Sequence, residues 1–513
     1  MILRRWKPIR KVVVRNVNVD SKRNMKPVIG LEIHAQLEAK SKMFSDAPIS
    51  AHAPSNTNVS LFDLSTPGTL PTLNRKCVEL ALRTAVLLNC KISSECRFDR
   101  KHYFYPDMPQ GYQITQNELP IARNGYLDYL LRPTDINRSY QPVDKKRLRI
   151  KQIQMEMDSG KLVHGVEREL IDLNRVGIGL VEIVTEPDLS SALEAACFAE
   201  HLRLMLIHNS ICQGEMHHGQ LRIDANVSIT VDGKPGVRTE IKNINSFRDL
   251  QSGLDFEIRR HVELINRNEE VRSETRGVAE GQTFLLRTKG NDLAYRFTPE
   301  PNLPRLRIKS EWLQKAEESV RWDASHLKYV FDHDFPIDFA FQMVYDLKMQ
   351  KFVHQCMKML TIESKLAVPL LRSLRLIFQS ANSQFPPKSK FVIRACCRLI
   401  DIEVEGQITH LIFLDLIRLY ASSQPPSVDV EEKINELNLW TIRDPPTIQR
   451  YVDEAVDTAP SNLIQQAIKK PNSKHFNKIR NLVVNASNKR IDIADVERFV
   501  TQKLKNYESN RSE

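Results

Sequence analysis

Long apolar runs and the common nucleotide-binding motifs are missing from this sequence. No stretch approaches the roughly 20 consecutive apolar residues that a membrane-spanning helix needs, so we expect no membrane span. Neither a GxxxxGK[ST] P-loop nor a Rossmann GxGxxG occurs, so any ATP site must be built in another way. The Gly/Ser-rich signature of an amidase nucleophile and the paired nucleotide-binding signatures of aminoacyl-tRNA synthetases are absent as well.

Paired cysteines are missing too. None of the eight cysteines forms a CxxC pair, which argues against a zinc knuckle and against a dithiol redox site. Their scattered spacing is typical of reduced thiols in a non-secretory compartment.

The chain is basic, with a formal net charge of +11 and a pI of about 9.1. This balance fits an anionic partner such as nucleic acid, although organellar proteins are often basic whatever they bind. The first 27 residues hold nine Lys or Arg and one acid, Asp20. They predict a mitochondrial transit segment over 1–26, the alternative being a basic arm that contacts RNA.

The periodicity of apolar residues changes along the chain. Residues 28–306 are rich in period-two runs, with helical patterns predicted at 74–90 and 191–209. Helical patterns dominate from 311, "SSQPPSVD" at 422–429 is a plausible linker, and 478–506 predicts two short basic helices. We therefore expect a strand-rich part with some helical inserts, followed by a helical part.

One strand-like stretch carries a carboxylate and an imidazole on its polar face. "VIGLEIHAQL" at 28–37 alternates strictly, so Glu32 and His34 fall on the face opposite Ile29, Leu31 and Ile33. The simplest interpretation is a strand with one face in water.

Four further stretches alternate in the same way, namely "QIQMEMDSGK", "VEIVTE", "LRIDANVSIT" and "VRTEIKN". If the five strands share a sheet, one polar face collects Glu32, His34, Glu156, Asp158, Glu182, Arg222, Asp224, Asn226 and Lys242. Carboxylates crowded on one face repel each other, whereas carboxylates with an imidazole and an amide suit a hard cation such as Mg²⁺. Both a solvated face and a metal-assisted site remain open on this pattern alone.

Two other features have simpler interpretations. "KHYFYPDMPQGYQITQ" at 101–116 is dense in aromatic residues and proline, and its tyrosines are expected to pack a proline-rich excursion onto the sheet. His217 and His218 are adjacent, so on a regular strand they would point to opposite faces and could not chelate one metal. We expect these two histidines on the surface.

Seven motifs in order resemble a known family. They are "VIGLEIHAQL", "PGTLPTLN", "KHYFYPDMPQGYQITQ", "DLNRVGIGLVEIVTEPDL", "LRIDANVSI", "TEIKNINSF" and "AYRFTPEPNLP". Together they resemble the B-subunit family of the aspartyl/glutamyl-tRNA amidotransferases, in a mitochondrial form. The match is dense over about 28–306, fades through the helical region and returns weakly near the C-terminus.

The resemblance implies an α+β fold. It consists of a cradle-shaped catalytic domain with an antiparallel sheet at 27–310, a helical domain at 311–425 and a basic helical tail at 426–513 that contacts tRNA. It implies a carbon–nitrogen ligase of the mitochondrial matrix that uses ATP and Mg²⁺ to convert glutamyl-tRNA(Gln) into glutaminyl-tRNA(Gln). It also implies two partners in the same amidotransferase, an amidase-type glutaminase (the A subunit) that supplies ammonia and a small C subunit. The motifs leave open whether aspartyl-tRNA(Asn) is a second substrate.

The resemblance also assigns roles to the polar face. Glu32, His34 and Glu156 match the family's metal-binding positions, Asp158 lies beside them, and Asp224 matches an acid near the ammonia route. These five are the implied catalytic residues. Arg222, Lys242, Asn226 and Glu182 are candidates for phosphate or substrate contacts, chosen by charge and face.

The sequence departs from the family pattern at several points. Met157 replaces an acid before Asp158, but it falls on the apolar face, so the metal site should be spared. "MHHGQLRID" stands where the family has "MEEGSLRCD", and the paired cysteines ahead of "PGTLP" are missing, so no zinc is expected there. The tail lacks the family's glycines, which weakens the predicted tRNA contact at 478–506.

Two rival functions compete with this one. A tRNA-binding scaffold that only docks the glutaminase would have no need of an intact acidic face. A general ATP-dependent carboxylate–amine ligase acting on a small molecule would have no need of a basic helical tail.

Overall fold

The computed structural model describes residues 23–50, 53–131, 145–164, 168–288, 295–320, 335, 339–340, 343, 346–422, 424–469 and 473–512. The chain divides into two compact units, Met1–Leu327 and Lys328–Glu513. Each unit is described by itself below.

Strands dominate the first unit. They are β1 (Met25–Gln36), β2 (Lys91–Ile92), β3 (Glu95–Cys96), β4 (Asp99–His102), β5 (Tyr112–Thr115), β6 (Ala122–Leu130), β7 (Lys145–Met157), β8 (Lys161–His164), β9 (Glu169–Asp172), β10 (Gly179–Thr185), β11 (Leu221–Val231), β12 (Thr239–Ile244), β13 (Glu274–Ala279), β14 (Gln282–Thr288), β15 (Phe297–Pro299) and β16 (Leu306–Arg307). The helices of this unit are α1 (Arg75–Leu87), α2 (Ala192–His208), α3 (Phe247–Asn266) and α4 (Ser310–Ser319).

Nine of these strands form one large sheet, in the order β14-β13-β12-β11-β1-β10-β7-β6-β2. All neighbours are antiparallel except β12 and β13, which are parallel and are connected through α3, as a crossover between parallel strands requires. The first strand in the chain, β1, therefore lies in the middle of the sheet and pairs with β10 on one side and β11 on the other. A smaller sheet of order β15-β4-β5 and two strand pairs complete the unit.

The alternation of apolar and polar residues in β1 shows which face of the strand lies in the hydrophobic core. Ile29, Leu31, Ile33 and Ala35 of β1 are at most 1% exposed, and they belong to one apolar cluster with residues of α1, α2 and α3. Because side chains alternate along a strand, the same four residues leave Glu32 and His34 on the opposite face. Burial of the apolar face thus fixes which side of the sheet carries the polar residues.

A side chain caps the N-terminus of each of the two predicted helices of this unit. The Asn74 side chain accepts a hydrogen bond from the backbone N–H of Lys76 at the start of α1. The Ser191 hydroxyl accepts one from the N–H of Glu194 at the start of α2. Each bond satisfies one of the unpaired N–H groups of a helix N-terminus, and both predicted helices are confirmed.

The second unit is helical in its described residues. Its helices are Leu347–Met357, Ser364–Ser380, Lys390–Val404, His410–Tyr420, Val430–Glu436, Pro445–Asp457, Ser461–Lys469, Lys474–Ala486 and Ile493–Ser512. The last four bury one apolar cluster that includes Ile448, Val452, Ile479, Val483 and Val500. The two predicted C-terminal helices are present, but the second spans 20 residues and is not short.

The expected mixture of helices with a large, mostly antiparallel sheet is confirmed. The domain boundaries at 310 and 425 stay predictions. Most of the predicted transit segment lies outside the described residues, which begin at 23. No helix in the described part of the chain is long and apolar enough to cross a membrane.

Candidate functional site

The five strands predicted to share a polar face lie side by side, in the order β12-β11-β1-β10-β7. On β1, Glu32 pairs with Asp224 of β11, and His34 pairs with Arg222 of β11 and with Glu182 of β10. Residues paired in this way have their Cβ atoms about 5 Å apart. The sheet therefore brings the predicted acids into direct contact distance across strands.

A first ligand set consists of His34, Glu156 and Glu182, which each place one nitrogen or oxygen within 4.8 Å of the others. Nδ1 of His34 and Oε2 of Glu156 are buried and have no hydrogen-bond partner among the described residues. Buried polar atoms are nearly always paired, so two orphaned ligand atoms in one cluster fit a bound cation.

A second ligand set, Glu32, Asp224 and Glu240, lies beside the first and meets the same distance limit. Asn226 donates from Nδ2 to Oε1 of Glu32 at 3.0 Å, which holds that carboxylate in place. Lys242 lies with Nζ 3.3 Å from Oε1 of Glu240 and 3.9 Å from Oδ2 of Asp224. Glu32, predicted to share a metal with His34 and Glu156, lies in this second set, and it also acts electrostatically on Glu182 of the first.

Burial shifts the protonation of the first set. It raises the pKa of Glu182 to about 7 and raises the pKa of Glu156, although the positive charge of Lys101 acts against both shifts. It also lowers the pKa of His34, which favours the neutral imidazole that binds metals. These directions are those of carboxylates held close together in a low-dielectric site.

Lys101 belongs to this site, and the sequence reasoning missed it. It lies on β4, and its interaction with Glu156 raises its own pKa, with smaller contributions from Glu182 and Glu32. Gln113 of β5 donates from Nε2 to Oε1 of Glu156 at 2.8 Å. The small sheet thus approaches the acidic face, and the available signal was a lysine opening the aromatic motif at 101–116.

Asp158, predicted to lie beside the metal ligands, contacts two arginines. It is buried just past the end of β7 and accepts a hydrogen bond on Oδ1 from Nη2 of Arg222 at 2.9 Å. Nε of Arg175 lies 3.7 Å from its other oxygen. Asp158 belongs to neither ligand set, and it orients the guanidinium of Arg222 next to His34.

His217 and His218 lie on the surface as predicted, but the reason given for that prediction was wrong. Met216–His218 forms one turn of 3-10 helix and not a strand, and the two imidazole rings lie 4.1 Å apart. With Glu215 they offer three ligand atoms within 4.8 Å. Strand geometry therefore does not keep these rings apart.

The chemistry available on the face follows from its charges. Oxygen and imidazole ligands in two adjacent sets can hold a hard divalent cation together with phosphate oxygens. Lys101, Arg222 and Lys242 supply positive charge around those ligands, as binding of a phosphoryl group or a substrate carboxylate requires.

Comparisons with known proteins identify the family of this chain. The family model described as "GatB/GatE catalytic domain" matches residues 27–314. The chain is 37% identical over 492 residues to the mitochondrial B subunit of the glutamyl-tRNA(Gln) amidotransferase of Danio rerio, covering 90% of this chain and 86% of that protein. It is 36% identical over 501 residues to the protein of the same name from Homo sapiens, covering 93% and 88%.

A bacterial relative extends the likeness. The chain is 36% identical over 447 residues to the B subunit of the aspartyl/glutamyl-tRNA(Asn/Gln) amidotransferase of a Wolbachia strain, covering 85% of this chain and 90% of that protein. The sheet with its polar face is thus the catalytic-domain fold of tRNA-dependent amidotransferases. The chain belongs to the family of their B subunits, and the resemblance read from the seven motifs is confirmed.

Proposed function

We propose that this chain is the subunit of a mitochondrial glutamyl-tRNA(Gln) amidotransferase that activates and amidates the glutamyl group. The observation that carries the proposal is the pair of ligand sets on the sheet, with the orphaned buried atoms of His34 and Glu156. The names of the relatives and their coverage of nearly the whole chain support it.

The proposed reaction has two steps. An oxygen of the side-chain carboxylate on glutamyl-tRNA(Gln) attacks the γ-phosphorus of ATP, which releases ADP and leaves an acyl phosphate. Ammonia then attacks the acyl carbon, inorganic phosphate leaves, and a proton is lost to give the amide of glutaminyl-tRNA(Gln). Phosphorylation is needed because a carboxylate oxygen is otherwise a poor leaving group.

Two kinds of residues serve this reaction in the proposal. His34, Glu156 and Glu182 would hold Mg²⁺, with Glu32 and Asp224 beside them, and the bound ion would supply positive charge next to the phosphoryl group. Lys101, Arg222 and Lys242 bind anionic oxygens of the carboxylate and phosphate. Asn226 and Asp158 fix the orientation of Glu32 and Arg222.

The proposal includes the partners and the remaining domains. Ammonia comes from the amidase-type A subunit, and the small C subunit joins that glutaminase to this chain in the mitochondrial matrix. Residues 1–26 act as the transit segment, 27–310 as the catalytic cradle, 311–425 as the helical domain and 426–513 as the tRNA-contacting tail.

ATP hydrolysis and glutaminyl-tRNA formation by the complex with its partner proteins test the function. Glutamyl-tRNA(Gln) is compared with uncharged tRNA, with glutamine or ammonia as nitrogen donor. Turnover that needs the charged tRNA and Mg²⁺ is the expected result. If tRNA binds and ATP is never consumed, the chain is a scaffold, whereas ATP consumption with a free amino acid indicates a small-molecule ligase.

Glu156→Gln should lower the rate of ATP-dependent amidation by at least about 100-fold, because it replaces a carboxylate ligand of the first set by a neutral amide. tRNA affinity should change little, since Glu156 is buried within the sheet. Glu186→Gln is the matched control, because Glu186 belongs to neither ligand set. Near-normal amidation by Glu156→Gln would contradict the metal assignment.

A further inference from the structure

A cluster of metal-ligating side chains lies outside the polar face and has no part in the proposed chemistry. Glu215, His217 and His218 are exposed, and each offers one ligand atom within 4.8 Å of the others. None of the three belongs to either ligand set on the sheet. We call these three residues the turn cluster.

The 3-10 turn brings the three side chains to one place. Its helical residues are Met216–His218, and Glu215 comes directly before them. Because a 3-10 helix has three residues per turn, side chains three positions apart lie one above the other. Glu215 and His218 have this spacing, and Nε2 of His218 lies 3.7 Å from Oε2 of Glu215. His217 adds its imidazole beside that of His218, with ring centroids 4.1 Å apart.

Hydrogen bonds and packing hold the backbone of the turn. The N–H of His218 donates to the carbonyl of Glu215 at 3.1 Å, and the N–H of Gly219 donates to the carbonyl of Met216 at 2.9 Å. Met216 is buried and belongs to the apolar cluster of the large sheet. Gly219 ends the turn with a φ of 71°, which a glycine adopts without strain.

Neighbouring elements anchor the turn from both sides. Oε1 of Gln220 accepts a hydrogen bond from the N–H of Glu215 at 3.1 Å, and the carbonyl of Gln220 accepts one from the N–H of Gln36 on β1 at 2.8 Å. Arg203 of α2 donates from Nε to the carbonyl of Gly214 at 2.6 Å and interacts electrostatically with Glu215. Only the exposed side chains therefore have to move for the cluster to close on an ion.

We propose that the turn cluster is a binding site for Zn²⁺, separate from the amidation reaction. Imidazole nitrogen suits zinc and its neighbouring transition metals, whereas Mg²⁺ takes mainly oxygen ligands. Tetrahedral zinc with bonds of about 2.0–2.2 Å places two of its ligand atoms roughly 3.4 Å apart. The 3.7 Å between His218 and Glu215 is only slightly longer. Two imidazoles and one carboxylate thus supply three ligands, and the fourth position is left to water.

A simple ion pair is the competing interpretation of the cluster. The second unit contains such a pair, in which Nδ1 of His410 lies 3.0 Å from Oε1 of Glu403. The turn cluster differs from it by a second imidazole. Two protonated imidazoles with centroids 4.1 Å apart would repel each other, whereas two neutral imidazoles with a carboxylate form a ligand set for a transition metal.

Calorimetric titration of the complex with Zn²⁺ tests the proposal, with excess Mg²⁺ present to occupy the polar face. Wild type should bind one equivalent of Zn²⁺ that His218→Asn weakens by at least about 100-fold. Loss of a group that only supports a metal ligand already costs roughly 10- to 100-fold in affinity, and His218 is a ligand itself. His217→Asn should have the same effect, and Glu156→Gln should keep this equivalent.

Co²⁺ in place of Zn²⁺ gives a second measurement. Four-coordinate Co²⁺ absorbs visible light much more strongly than six-coordinate Co²⁺, so the wild-type complex should show intense bands that His218→Asn loses. His410→Asn is the matched control, because His410 is equally exposed and has one carboxylate partner. It should leave both measurements unchanged, and unaltered melting temperatures without metal establish that the variants fold.

Three results would overturn the zinc site. They are the absence of saturable Zn²⁺ binding by wild type, equal binding by wild type and His218→Asn, and loss of the equivalent in Glu156→Gln, which would place the ion on the polar face. Because none of these measurements uses amidation, the zinc site and the proposed function can fail independently.

Discussion

Lys101, a single residue of the small sheet, interacts electrostatically with several carboxylates of the large one. Its positive charge acts on carboxylates from three strands, β1, β7 and β10. Without it the two acids of the first ligand set would have less positive charge nearby, and their protonation would be favoured further.

Lys101→Met should lower the rate of amidation by about 100-fold or more, because a positioned charge near the transferring group is lost. Single-turnover formation of glutaminyl-tRNA measures the effect at saturating ATP. Lys91→Met is the control, since Lys91 is an exposed residue of the two-residue edge strand β2. Equal rates for the two variants would remove Lys101 from the site.

Glycine residues test the packing at single positions in the sheet. A Cβ at Gly125 would lie 2.4 Å from the carbonyl oxygen of Leu88 and 2.2 Å from Sγ of Cys90, whereas at Gly30 the closest atoms are 3.6 Å away. Gly125→Ala should therefore lower the free energy of unfolding by about 1–3 kcal/mol, and Gly30→Ala by less. Urea titrations of both variants measure this, and equal midpoints would contradict it.

At the scale of elements, α3 is joined to β13 and β14 by buried charges. Glu257 on α3 is fully buried and contacts Arg260, His261, Arg276 and the Thr283 hydroxyl. Burial alone would raise the pKa of Glu257, but the hydrogen bonds from these groups overcome it and lower the pKa to about 2. This network lies next to Glu240 of the second ligand set, since Thr275 of β13 donates to that carboxylate at 3.4 Å.

Glu257→Gln should lower the free energy of unfolding by about 3 kcal/mol at pH 7, because buried cations lose their partner. The carboxylate stabilises the fold above its ordinary pKa of 4.5, and this contribution is lost as the pH falls toward 2. Urea midpoints of wild type and variant should thus differ by a constant amount between pH 5 and 7 and converge below about 4.5. A difference that grows on acidification would contradict the assignment.

The elements and the site were predictable to different degrees. Period-two alternation located β1, β7, β10, β11 and β12 and put Glu32, His34, Glu156, Glu182 and Asp224 on one face, because the side-chain period of a strand is fixed. The period does not determine the order of the strands in the sheet. The sequence therefore could not predict which acids would share a ligand set. Lys101 and Gln113 escaped prediction because they come from a second sheet. The 3-10 turn at His217 was not predicted, because two adjacent residues show no periodicity.

For the whole molecule, the positive net charge predicts a strong dependence of RNA binding on salt. tRNA affinity should fall at least tenfold between 50 and 200 mM salt, because counterions are released from the RNA. Lys474 and Lys478 are exposed on one face of the helix Lys474–Ala486, so their joint replacement by alanine should reduce the salt slope by about two if the tail binds tRNA. An unchanged slope would contradict the predicted role of the tail.

The central position of β1 also has a consequence for how the molecule is made. Glu32 and its hydrogen-bond partner Asn226 are 194 residues apart, so β1 leaves the ribosome long before either neighbouring strand exists. At about 5–20 residues per second, this wait lasts roughly 10–40 s. A strand with one apolar face and unpaired edges must be shielded during that time, and the site forms only after long-range pairing. The residues that arrive first are therefore among the last to become functional.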